Sequence, residues 1–232
     1  MAKNKLIRWA AIEHMPNIIQ PDVREIKETE HQNKGKWNQI LFGNTHPIVL
    51  ELGCGKGEYT VALAKVYPEK NFIGIDIKGS RLYVGAKEAI DSSMANVAFI
   101  RSYIEHICNI FAPGEISEIW ITFPDPQPQT SRLLKRLTSS RFLNLYCNIM
   151  QDQGLVHLKT DNAELYHYTV NLVHYNGIEP LAKTENLYES EFSGDTMGVK
   201  TYYENKYLQQ GIPINYLRFK LTINKIFNET TE

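Results

Sequence analysis

The stretch Glu51-Leu52-Gly53-Cys54-Gly55-Lys56-Gly57-Glu58 follows directly on an apolar run at 48–52. Its three glycines at alternate positions permit a tight strand-to-helix bend and let a ligand lie against the backbone. Nineteen residues beyond Gly57 stands Asp76, near the end of a second apolar run at 72–77. A carboxylate there accepts both hydroxyl hydrogens of a ribose, so loop and acid together predict a nucleoside-binding site. The dinucleotide fingerprint G-x-G-x-x-G requires glycine at position 58, where Glu58 stands. Glu51 and Glu58 beside the loop suit a ligand carrying positive charge better than one carrying phosphates. Taken singly, Glu51 also reads as a capping or surface acid and Asp76 as a turn former, and their joint presence at this spacing counts against both.

Outward from this loop, apolar runs at 48–52, 72–77, 97–100, 118–123 and 154–160 alternate with stretches of helical periodicity. That rhythm predicts an α/β fold with a mostly parallel sheet covered on both faces, and places ligands at the carboxyl ends of the strands. A helical pattern at 163–175 and a strand candidate at 215–223 complete the chain. Residues 1–46 are polar and irregular, with aromatic anchors at Trp9, Trp37 and Phe42. They read as an N-terminal extension ahead of a single domain at 47–232.

The composition, 43% apolar and 22% charged over 232 residues, excludes disordered and fibrous classes. Cys54, Cys108 and Cys147 are far apart with no C-x-x-C pairing, which argues against a disulfide framework or structural zinc. His167 and His174 lie seven apart with no third ligand, so no metal site is expected. No apolar run approaches the roughly 20 residues that span a bilayer, and a cytoplasmic location without membrane attachment is expected. Twenty-five Lys and Arg against 26 Asp and Glu give a net charge of −1, the opposite of a protein coated in cations.

Later motifs also follow strands. The fourth run enters Pro124-Asp125-Pro126-Gln127-Pro128-Gln129, where alternating prolines stiffen the loop and fix Asp125 as a catalytic candidate. From 127 to 143 there are four cations, Arg132, Lys135, Arg136 and Arg141, and no acid, a local patch suited to RNA phosphates. The fifth run ends in His157-Leu158-Lys159-Thr160-Asp161-Asn162. Thr201 and Glu204 have the spacing of a helix capping box, which stands as the plain alternative to a ligand role for that pair.

The ordered set E-L-G-x-G-x-G, G-I-D, F-P-D-P, K-R-L-T, K-T-D-N and T-x-Y-E, spread over about three quarters of the chain, resembles the bacterial tRNA (guanine-N7-)-methyltransferase family. The resemblance implies a Rossmann-like class I methyltransferase fold, doubly wound and mostly parallel with an antiparallel C-terminal strand. It implies S-adenosyl-L-methionine as cofactor and tRNA as partner, with methylation at guanine 46 of the variable loop. Carried over residue by residue, Glu51, Gly53, Gly55, Asp76, Tyr103 and Asp125 fall at cofactor positions, with Asp125 also catalytic. Gln129, Asp161, Thr201 and Glu204 fall at substrate positions. Gln127 and Gln129 depart from the family's tryptophan and lysine, and Ser102-Tyr103 stand where the family carries an acid. Two other readings stay open on sequence alone: a methyltransferase of another substrate, and a non-catalytic RNA-binding subunit that has kept the fold.

Overall fold

The computed structural model describes residues 2–196 and 198–230. Eight strands form one sheet: β1 (Ile18–Ile19), β2 (Ile48–Leu52), β3 (Asn71–Ile75), β4 (Val97–Ile100), β5 (Ile116–Thr122), β6 (Met150–Thr160), β7 (Ala182–Thr184) and β8 (Asn215–Leu221). Their order is β1-β4-β3-β2-β5-β6-β8-β7. The neighbours from β1 to β6 pair in parallel, whereas β6 with β8 and β8 with β7 pair antiparallel. Strand order reverses between β2 and β5, so the crevice at a doubly wound sheet's switch point opens above these two strands.

Strand periodicity assigns the two faces. Ile48, Leu50 and Leu52 point into one apolar cluster, Val49 into the other, so Glu51 is aimed at the second face. Cross-strand registration there sets Glu51 beside Trp120, Trp120 beside His157 and His157 beside Arg218. Trp120 stacks on His157 with ring centroids 3.8 Å apart. This face is therefore polar along its centre even where it is buried.

The helices run in chain order α1 (Ala2–Ile12), α2 (Glu25–Glu28), α3 (Glu58–Val66), α4 (Gly79–Asp91), α5 (Ile107–Ile110), α6 (Ser140–Cys147), α7 (Ala163–Tyr175) and α8 (Tyr202–Gln209), and α3, α4, α7 and α8 position the crevice. Residues 1–46, expected to be an irregular extension, supply strand β1 at the sheet edge and helix α1 (Ala2–Ile12), which packs on α4. Trp37 is fully buried, its indole N–H donating to the Ile110 carbonyl at 2.8 Å. The polarity of this stretch hid these contacts, because a few apolar residues spaced far apart do the burying.

Candidate active site

Gly53, Gly55 and Gly57 all adopt left-handed backbone, with φ of 73°, 56° and 71°. A side chain at Gly57 would also bring its Cβ within 2.3 Å of the Phe99 ring, so this position needs glycine for space as well as for conformation. The loop is held to the second motif by its acid. Asp76 accepts the N–H of Gly55 at 3.0 Å and that of Lys78 at 2.7 Å.

Glu51 is 4% exposed at the floor of a cavity of about 200 Å³ that Gly53, Gly55, Glu58, Thr122 and Thr201 also line. Its carboxyl accepts the hydroxyls of Thr60 and Thr122, the latter at 2.7 Å. Burial raises its pKa to about 7, because among the described residues no cation comes within salt-bridge distance and the two hydroxyls only partly offset the loss of water. Tyr59 lines the same cavity at 1% exposure, and its hydroxyl has no hydrogen-bond partner among the described residues. A buried carboxylate without a cation and an unsatisfied phenol fit a cationic, polar ligand such as S-adenosylmethionine.

A second cavity of about 410 Å³ adjoins the first and shares Arg81, Phe123 and Tyr203 with it. Asp125, Asp161 and Tyr207 complete its working wall. Phe123 has left-handed backbone, φ 48°, and its N–H is donated to the Lys159 carbonyl at 2.8 Å, which turns the chain sharply out of β5. The Phe123 and Tyr207 rings stack with centroids 5.9 Å apart. Asp125 is exposed and accepts the Gln127 N–H at 3.1 Å, closing an Asx turn. From behind, Arg136 donates to the carbonyls of Pro126 and Gln127 at 3.1 and 3.3 Å, bracing the loop. Asp161 sits at the end of β6, just before Asn162, whose side chain caps α7 by accepting from Leu165 N–H at 2.7 Å.

Several of the expected residues stand away from the walls of the two cavities. Glu204, expected at the guanine, is fully buried and lines neither cavity. Its oxygens accept from Lys159 Nζ at 2.7 and 2.9 Å, from the Tyr188 hydroxyl and from Thr201 N–H, while Thr201 Oγ1 accepts from Glu204 N–H. The capping box is formed, and every acceptor lobe of the carboxylate is engaged inside the protein. The four-cation patch is also thinner than its sequence. Arg136 is 5% exposed and paired with Glu164 at 2.8 Å, and Arg141 lies 3.9 Å from Glu105, which leaves Arg132 and Lys135 exposed without an ion pair among the described residues. Tyr103, 47% exposed in the loop after β4, lines neither cavity, and Gln129 is exposed at the start of a short 3-10 helix. Sequence reading passed over Arg81, Tyr59 and Tyr207. Only Tyr207 had a legible signal, its spacing of four from Tyr203 on one helix face.

The doubly wound strand order, with the positive-φ glycine loop and Asp76 at its switch point, is the fold of class I methyltransferases. Solved structures agree on the fold. The 16S rRNA methyltransferase KamB superposes with a TM-score of 0.63 at 14% identity, over 89% of this chain and 99% of that one. A 16S rRNA (adenine(1408)-N(1))-methyltransferase from Catenulisporales acidiphilia, solved with cosubstrate SAM, gives 0.53 at 12% identity over 82% and 91%. A family model described as "Putative methyltransferase" matches residues 45–217. A tRNA (guanine-N(7)-)-methyltransferase of Christiangramia forsetii is 51% identical over 95% of this chain and 99% of its own length. One from Bacteroides thetaiotaomicron is 44% identical over 99% and 90%. The chain belongs to the tRNA (guanine-N(7)-)-methyltransferase family.

Proposed function

We propose that the protein transfers a methyl group from S-adenosylmethionine to N7 of a guanine in tRNA, at position 46 of the variable loop, in the cytoplasm. The observation that carries this reading is the shared wall of the two cavities, Arg81, Phe123 and Tyr203, which puts the cleft lined by Glu51 and the glycine loop beside one with room for a base. When bound, the cofactor supplies an electrophilic methyl on its sulfonium. Glu51 and Tyr59 hold its polar end, the backbone of Gly53 and Gly55 gives it close approach, and Asp76 takes the ribose. The segment 47–232 carries these groups and 1–46 is built onto it.

Guanine N7 has a lone pair and no proton to lose, so none of these residues has to act as a general base. Catalysis then rests on placement and charge. Phe123 and Tyr207 give the purine an aromatic face, and Asp161 accepts from N1–H and the N2 amine, which adenine lacks. Alignment of N7 within about 3.5 Å of the methyl supplies several kcal/mol of proximity. Asp125, rigid between prolines, faces the positive charge that methylation leaves on the ring. The target base is unpaired or turned outward to reach the cavity.

A tRNA carrying 7-deazaguanine at position 46 tests this reading, because the substitution replaces the nucleophilic nitrogen with C–H and little else. The modified tRNA is expected to bind with ordinary affinity and accept no methyl. Methyl transfer to it at the normal rate would overturn the assignment of N7.

A further inference from the structure

We infer that Arg81, in the first turn of α4, holds a phosphate of the target nucleotide while its base occupies the cavity of Asp125 and Asp161. The inference rests on the function proposed above and adds a residue to it. Arg81 is exposed, lines both cavities, and is the only cation among the described residues lining the one that holds those two carboxylates. Among the described residues its guanidinium makes no ion pair and no hydrogen bond, unlike that of Arg136, which is committed to the loop behind.

The need for a cation there follows from charge. A nucleotide entering beside Asp125 and Asp161 brings a negative phosphate into a wall that already carries two carboxylates. Backbone N–H groups, the usual neutral phosphate donors, are scarce on that wall. Pro124 and Pro126 have none, and the N–H of Gln127 is donated to Asp125. Arg81 supplies a planar fork of donors, and its place on the border of both cavities keeps the phosphate near the plane where base and cofactor meet.

Arg81→Gln and Arg81→Lys separate this from the alternative source of anion, the carboxylate of the cofactor. For Arg81→Gln, tRNA affinity is expected to fall about tenfold at low salt, and the slope of log Kd against log salt to lose about 1. S-adenosylmethionine affinity by calorimetry is expected to stay at the wild-type value, and Arg81→Lys to recover most of the slope. An unchanged salt slope in Arg81→Gln, or a loss confined to cofactor affinity, would overturn the proposal. Wild-type protein that methylates tRNA while Arg81→Gln matches it in every measurement refutes this inference alone. Wild-type protein that fails to methylate any tRNA refutes the functional reading instead.

Discussion

Lys159 and Glu204, both fully buried and 2.7 Å apart, tie the end of β6 to the first turn of α8. The lysine also donates to the Val199 carbonyl at 3.3 Å, so one ammonium fastens the whole approach to α8 against the sheet. Thr201 and Tyr203, on the cavity walls, are carried by that fastened segment.

Removing one partner leaves the other charge buried and alone, a loss of about 3 kcal/mol. Glu204→Gln is therefore expected to lower the urea midpoint markedly, and Lys159→Met with Glu204→Leu to cost less than the sum of the two single changes. A Glu204→Gln protein as stable as wild type but deficient only in kcat/KM for tRNA would instead place Glu204 at the guanine.

Cofactor binding through Glu51 is expected to depend on pH. Burial lifts its pKa from 4.5 to about 7, so between those values the folded protein keeps a proton that the unfolded chain has released. Stability without ligand thus declines as pH rises through that window, by about 3 kcal/mol in total. A cationic ligand favours the ionised carboxylate, so S-adenosylmethionine affinity is expected to rise as pH climbs through 7. Calorimetric titration below and above pH 7 reads this directly, and Glu51→Gln should flatten the profile. A flat wild-type profile would contradict the role of Glu51.

Asp125 and Asp161 line one cavity, and the proposed mechanism assigns them different work. Asp125→Ala is expected to lower kcat about a hundredfold with tRNA affinity nearly kept, since the charge it balances exists only as the methyl moves. Asp161→Asn should act mainly on KM and let adenine compete better at the target position. Equal losses of kcat and affinity in Asp125→Ala would instead make the loop a scaffold.

The cations of 132–141 divide by burial. Arg132→Ala and Lys135→Ala should each reduce the salt slope of tRNA binding by about 1, whereas Arg136→Ala should lower thermal stability, because Arg136 is buried against the Tyr168 ring and braces the Asp125 loop. A full unit of slope lost in folded Arg136→Ala would show that it reaches RNA.

The parallel core was legible because its strands are short apolar runs punctuated by glycine and proline. The runs at 48–52 and 97–100 coincide with β2 and β4, and the helical pattern at 163–175 with α7. Strand β1 escaped notice because two residues carry no periodicity, and β7 because three barely do. The glycine loop, Asp76, Asp125 and Asp161 were legible as residues that follow strands. The surroundings of Glu204 were not, since its spacing from Thr201 serves a capping box and a ligand site equally, and no linear pattern states its burial beside Lys159. Arg81 was hidden in a helix whose register toward the crevice no linear pattern states.

The most direct test is to incubate the protein with unmodified tRNA and S-adenosylmethionine labelled on its methyl group, digest the RNA to nucleosides and identify the labelled product. The account predicts label in 7-methylguanosine alone. Label in another nucleoside, or none from a folded protein that binds the cofactor, would contradict it.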